Sequence, residues 1–313
     1  MTDFRFNFEQ TIRGDAIPTA CQHSTESHTM PVIEKLNKCR EVECMTSGTG
    51  IDDSHSKGPR HKVCDVRLCD GTVHLQHIDL DVTEAELKTE NSELKSALNS
   101  RSDLVPYIYE GGLKIWECAI DLILFLHQCK VDFENKSVLE LGCGVGLPGI
   151  YTLTKGAVVH FQDYNVEVIK HVTIPSVAMN TSNGPDRHHK FYAGEWGSLP
   201  DLLNPAKADS KKYDSNDVSL PSFVHVSMTR FDFILTSETI YNPDSYPSLI
   251  HVVKQLLKRT GVAYLAAKSH YFGVGGSIDL FTEAIDKDGT LVWETVSVVA
   301  AGIPRKTLCI IQK

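Results

Sequence analysis

No stretch of this 313-residue chain approaches 18 uninterrupted apolar residues, although hydrophobic residues make up 42% of it. The longest candidate, Leu122 to Leu126, fills little more than a helical turn, so no membrane span is expected. The opening residues, MTDFRFNFEQ, have neither a basic leader nor an apolar core, and no secretory signal is expected from them. Positive charge is also scarce. Lysine and arginine number 31 against 40 acids, a formal charge of -9, with a pI near 5.9. Sequence-independent nucleic-acid binding needs clustered Lys and Arg to neutralise phosphates, so no direct nucleic-acid substrate is expected. An acidic chain suits a basic protein partner instead.

Cys-x-x-Cys pairs are missing as well. Nine cysteines form an odd set with no compact framework, which predicts reduced thiols in the cytoplasm or nucleus. Cys39, Cys44, Cys64 and Cys69 do lie near His55, His61, His74 and His77. Their irregular spacing favours ordinary thiols, and no metal is expected.

The chain divides into unlike parts. Residues 1–103 are polar and weakly periodic, as in the run from Cys44 to Gly58, and are expected to be partly disordered. Two pieces stand out. Val63 to Leu68 and Thr72 to Leu80 could pair as a hairpin around Asp70-Gly71. Thr83 to Leu98 has helical spacing at Leu87, Leu94 and Leu98.

Residues 104–313 alternate strand-like and helix-like segments. Strands are predicted at Ser137–Leu141, Val158–Gln162, Lys190–Ala193, Phe231–Thr236, Val262–Ala267, Val292–Val299 and Lys306–Gln312. Helices are predicted at Leu113–Cys129, Leu147–Thr154, Val166–Met179 (irregular at Pro175), Tyr246–Arg259 and Ile278–Asp286. This alternation predicts an α/β domain, a doubly wound, mostly parallel sheet of seven strands. The short Gly302-Ile303-Pro304 link makes the last two strands an antiparallel pair. The polar stretch 204–229 reads as a mobile insertion.

The strongest local pattern is Val138-Leu-Glu-Leu-Gly-Cys-Gly-Val-Gly-Leu-Pro-Gly149, a strand running into a glycine turn and then a helix. Glycine there lets backbone approach a ligand closely. The Gly-x-Gly-x-Gly spacing of Gly142, Gly144 and Gly146 is not the dinucleotide pattern. Glu140 just before it suits a cationic ligand better than a pyrophosphate. A second strand ends in Asp163, 21 residues after Gly142. An acid at that place can accept the hydroxyls of a ribose. The alternative is a tight turn plus a solvent-end acid. Trp196 offers either a flat face for a purine or a core tryptophan.

Several segments now point to one family. They are Asp103-Leu-Val-Pro-Tyr-Ile-Tyr-Glu-Gly-Gly-Leu-Lys-Ile-Trp-Glu-Cys118, the glycine loop, Phe161-Gln-Asp-Tyr-Asn165, Tyr192-Ala-Gly-Glu-Trp196, Leu235-Thr-Ser-Glu-Thr-Ile-Tyr-Asn242 and Lys268-Ser-His-Tyr-Phe-Gly-Val-Gly-Gly276. Over about 210 residues the chain resembles the seven-β-strand, Rossmann-like class I methyltransferases that use S-adenosylmethionine (SAM), and within them the histidine protein methyltransferases. The resemblance implies SAM bound by Ile115, Trp116, Glu117, Cys118, Ala119, Gly142, Gly144, Gln162, Asp163, Tyr164, Gly194, Glu195, Trp196 and Ser237. It implies an acceptor site at Glu238, Tyr241, Asn242 and His270, with Tyr271 a further candidate. Glu238 would orient the substrate ring or stabilise its charge; for His270 a hydrogen-bonded structural role is the slightly favoured reading. The implied substrate is a histidine in another protein, a basic large-subunit ribosomal protein by family likeness, and a monomeric enzyme is expected. A lysine methyltransferase of the same fold and a SAM-binding module without turnover are the alternatives that the residues leave open.

Overall fold

The computed structural model describes residues 38–43, 61–68, 71–89, 93–99, 103–181, 189–205 and 228–313. All of the polar run 44–58 (with Cys44 and His55), Cys69, the turn residue Asp70 and most of the insertion at 204–229 lie outside the described residues. No helix among the described residues is long and apolar enough to cross a membrane.

The main sheet contains β1 (Arg40–Val42), β4 (Ser137–Leu141), β5 (Val158–Asp163), β6 (Lys190–Ala193), β7 (Phe231–Ser237), β8 (Leu257–Lys268), β9 (Leu291–Val299) and β10 (Arg305–Gln312). Their order is β1-β6-β5-β4-β7-β8-β10-β9. The five strands from β6 to β8 run parallel, while β10 is antiparallel to both β8 and β9. All seven expected strands are present, and β1 adds an eighth at the edge, antiparallel to β6. Three residues are too few to show a strand period. β1 is also fixed by the Cys39 amide, which donates to Ser198 Oγ at 2.7 Å.

Alternation along the buried strands divides the core between two faces. Val138, Val159, Phe161 and Leu235 join one apolar cluster, and Leu139, Leu141, Ile234 and Leu265 join the other. The first cluster is closed by α3 (Glu117–Gln128), α4 (Leu147–Thr154) and α6 (Ile174–Thr181), and the second by α8 (Tyr246–Leu256) and α9 (Ile278–Asp288). The expected hairpin is β2 (His61–Leu68) with β3 (Gly71–Ile78). It docks on α6, where Asn180 Oδ1 accepts from the Gln76 amide at 3.0 Å and Nδ2 donates to the Gln76 carbonyl at 2.7 Å.

Several helix boundaries differ from expectation, each for a local reason. The single helix predicted at 83–98 is two, α1 (Leu80–Leu87) and α2 (Glu93–Asn99), and Asp79 caps α1 by accepting from the amides of Asp81 and Val82. The helix after β5 comprises α5 (Val166–Val168), a π-helical segment (Ile169–Thr173) and α6. The irregularity precedes Pro175, where the ring would crowd the carbonyl four residues back, and a wider turn relieves that. The helix expected to reach Arg259 stops at Leu256 because Leu257 is already extended and pairs with Phe231. Gly261 permits this early strand: a Cβ there would lie 2.8 Å from the Asp232 carbonyl oxygen. A short α7 (Leu199–Leu203) was not anticipated.

Candidate active site

At β4 the chain order reverses, with β5 on one side and β7 on the other. Crossovers leave in opposite directions there and open a crevice beyond the strand ends. The glycine turn lies in that crevice, and Gly142, Gly144 and Gly146 have φ of 60°, 50° and 82°. All three are also crowded, and a Cβ on Gly146 would lie 3.1 Å from Phe161 Cε1. A Cβ on Gly142 would lie 2.6 Å from Thr239 Cγ2, and one on Gly144 would lie 3.2 Å from the Gly112 carbonyl oxygen.

Glu140 does not face this crevice. It is 2% exposed, and its Oε2 accepts from the Gly149 amide at 2.8 Å. It therefore holds the first turn of α4 against β4, and the expectation that it greets a cationic ligand is corrected. Strand alternation puts it on the α4 side. Burial pushes its carboxyl up to about 8 from 4.5, against the pull of the Gly149 amide. The fold binds this proton more tightly than the unfolded chain does, so stability falls as pH rises from about 4.5 to about 8. Glu140→Gln keeps the acceptor and removes the titration. Its stability advantage in ligand-free denaturation should be ~3 kcal/mol larger at pH 9 than at pH 6. An advantage independent of pH would contradict this.

Gln162 and Asp163 end β5. Gln162 is fully buried and joins three segments. Its Oε1 accepts from the Gly142 amide at 3.2 Å and from Trp196 Nε1 at 2.8 Å, and its Nε2 donates to the Gly194 carbonyl at 2.7 Å. Asp163 takes the Gly144 amide on Oδ2 at 2.9 Å and the Asn165 amide on Oδ1 at 3.0 Å. A carboxylate offers about four acceptor positions, so roughly two remain. Burial raises the Asp163 carboxyl from 3.8 to about 6, opposed by those amides, and nearby Glu110 adds to the rise. Tyr164 donates from its hydroxyl to the Tyr107 carbonyl at 3.0 Å.

The segment before α3 covers the crevice. It delays the helix predicted from Leu113, because Trp116 is extended at the N-cap of α3. Trp116 Nε1 donates to the Gly111 carbonyl at 3.0 Å, and Lys114 Nζ lies 4.9 Å from the ring centroid. Glu110 receives the Tyr107 amide on Oε1 at 2.6 Å and the Tyr241 hydroxyl on Oε2.

β7 supplies the opposite wall. Ser237 ends the strand, and Glu238 follows with φ of 58°, a left-handed conformation that non-glycine residues seldom adopt. The Glu238 amide still donates to the Ala266 carbonyl at 2.9 Å, so the turn comes after strand pairing is complete. Its carboxylate accepts from the Tyr271 hydroxyl at 2.6 Å and lies 3.3 Å from Lys268 Nζ, which reaches Glu117 at 3.1 Å. Burial and the Glu238 charge hold the Tyr271 hydroxyl well above its ordinary value. Asn242 caps the following 3-10 turn, its Oδ1 accepting from the Asp244 amide at 3.0 Å.

These walls enclose one cavity of about 380 Å3. Of the expected residues, Ile115, Trp116, Ala119, Gly142, Gly144, Gln162, Asp163, Tyr164, Gly194, Glu195, Trp196, Ser237, Glu238, Tyr241 and Asn242 line it. Glu117, Cys118 and His270 do not. Glu117 and Cys118 begin α3 and face Lys268 and Glu238 from behind the wall. His270 is exposed and meets Ser269 Oγ at 3.1 Å and the Phe272 ring at 4.4 Å between centroids. Tyr271, next in the chain, turns inward instead. Glu110 and Thr239 also line the cavity and were missed. Glu110 was quoted within a motif, but its partner Tyr241 lies 131 residues away.

The lining carries five carboxylates, Glu110, Asp163, Glu195, Glu238 and Asp244, against one lysine, Lys114. That charge balance fits a sulfonium and opposes a pyrophosphate. The buried acid with open acceptor positions fits a ribose, and the flat face of Trp196 fits an adenine.

A family model described as a methyltransferase domain matches residues 117–273. A histidine protein methyltransferase 1 homolog of Bos taurus is 36% identical over 277 residues, covering 80% of this chain and 69% of that protein. The homolog of Mus musculus is 35% identical over 316 residues, covering 92% and 76%. The protein N-lysine methyltransferase METTL21A of Danio rerio is more distant, 26% identical over 157 residues, covering 50% and 61%. With the switch-point crevice, the acid-lined cavity and this extended similarity together, the chain belongs to the histidine protein methyltransferase family and is a SAM-dependent protein-histidine methyltransferase.

Proposed function

We propose that this enzyme methylates a histidine of a basic large-subunit ribosomal protein, which it meets in the cytoplasm or nucleus. The observation that carries this reading is the acid-rich cavity in an acidic chain, which favours a basic partner and a ring that gains positive charge. SAM supplies a methyl group activated by its sulfonium, so the residues have to align and stabilise rather than form a covalent intermediate. Asp163 would hold the ribose hydroxyls, and Tyr164, Glu195 and Trp196 would border the adenine. Gly142 and Gly144 would sit under the methionine portion, Ile115, Trp116 and Ala119 would cover it, and Ser237 would stand beside it. A neutral imidazole offers one nitrogen lone pair while its other nitrogen holds the proton. Glu238, fixed by Tyr271 and Lys268, lends negative charge to the ring as it becomes cationic.

The substrate is tested by incubating the enzyme and labelled SAM with purified large ribosomal subunits, with free large-subunit proteins and with histones. The expected result is label in one large-subunit protein. Equal labelling of histones, or none in the ribosomal proteins, would contradict the assignment.

A further inference from the structure

The two carboxylates at the acceptor end are not equivalent. Glu238 is 7% exposed, bound by Tyr271 and balanced by Lys268. Glu110 is half-buried, and among the described residues it forms no ion pair. Its Oε1 takes one amide and its Oε2 one tyrosine hydroxyl, leaving each oxygen about one acceptor position. Its backbone is held as firmly as its side chain. The Glu110 amide donates to Asn165 Oδ1 at 3.1 Å, and Asn165 Nδ2 donates to the Ile108 carbonyl at 2.7 Å. The Asn165 amide in turn binds Asp163 at 3.0 Å. Glu110 is thus registered against the corner of the cavity assigned above to the ribose.

We propose that Glu110, oriented by Tyr241, accepts the N–H of the substrate imidazole and so determines which ring nitrogen is methylated. The proposal rests on the protein-histidine reading and adds the group that selects the tautomer. A carboxylate can only accept, so the ring must present its protonated nitrogen to Glu110 and its lone pair to the cavity. As the ring becomes cationic, the hydrogen bond becomes charge-assisted on both sides and strengthens. Burial raises the Glu110 carboxyl, as it would for an acid without a cation beside it. A ring that gains charge supplies that cation during transfer.

Glu110→Gln and Tyr241→Phe test this, with large-subunit ribosomal proteins as acceptor and S-adenosylhomocysteine as probe of the cofactor site. An amide can donate as well as accept, so Glu110→Gln loses tautomer selection. It is expected to lower the initial rate about 100-fold, to yield both methylhistidine isomers after hydrolysis, and to bind S-adenosylhomocysteine within twofold of wild type. Tyr241→Phe should lose about 10-fold in rate and keep one dominant isomer. A wild-type rate with a single isomer in Glu110→Gln would overturn the proposal. So would a parallel loss of S-adenosylhomocysteine affinity, which would put Glu110 in the cofactor site. Wild-type enzyme that forms no methylhistidine would overturn the underlying reading, and the inference with it.

Discussion

Replacing Asp163 by alanine is expected to weaken S-adenosylhomocysteine binding about 100- to 10,000-fold. Hydrogen bonds to a charged acceptor are worth ~1.5–3 kcal/mol each, and a ribose offers two hydroxyls. The change also releases the Gly144 and Asn165 amides that Asp163 now holds, so the glycine turn loses its preorganisation. Burial pushes the wild-type carboxyl up to about 6. Affinity should therefore fall as pH drops through about 6, where protonation removes part of the acceptor. Asp163→Asn should bind weakly with little pH dependence across that range. Calorimetric titration from pH 5 to 8 measures both effects. An alanine variant with wild-type affinity would remove Asp163 from the ribose site.

Gln162→Leu is expected to cost ~3–6 kcal/mol of stability and most of the cofactor affinity. The volume is similar, so the loss is almost wholly polar. Three groups would be left without their partner: the Gly142 amide, the Trp196 indole N–H and the Gly194 carbonyl. A buried orphan such as the Gly194 carbonyl costs ~1–3 kcal/mol, and the part-buried Gly142 amide and Trp196 N–H fall toward the low end of that range. Those groups belong to the turns after β4 and β6, which Gln162 joins from β5. Gln162→Glu would restore the two acceptor contacts, and only its neutral form offers an O–H donor to the Gly194 carbonyl. Urea denaturation should show a large drop in midpoint for leucine and a smaller one for glutamate at low pH, where its carboxyl is neutral. A leucine variant as stable as wild type would show that this junction contributes little.

What could be read from the residues was local. The strand at Ser137–Leu141, the glycine turn and the helix at Leu147–Thr154 follow within 18 residues, so their pattern is self-contained. Asp163 was visible because it ends an apolar run. The hairpin was visible because turn residues separate two β-rich runs. The rest depends on contacts between distant segments. Nothing near Glu110 indicates that Tyr241 will meet it. Glu140 reads as a ligand-facing acid until strand alternation and the Gly149 amide place it under α4. His270 and Tyr271 are neighbours whose inward and outward directions depend on the turn that returns to Gly276. There the Tyr271 amide donates to the Gly276 carbonyl at 2.8 Å and the Gly276 amide to the Tyr241 carbonyl at 2.9 Å. Glu117 and Cys118 were grouped with their cavity-lining neighbours, but the start of α3 turns them toward Lys268 and Glu238.

The most direct test of the central claim is the chemical identity of the methylated residue. Wild-type enzyme is incubated with methyl-labelled SAM and large-subunit ribosomal proteins, and the labelled protein is hydrolysed to amino acids and separated. Label in methylhistidine, absent with Asp163→Ala, is the predicted result. Label in methyllysine would contradict the account of the acceptor site.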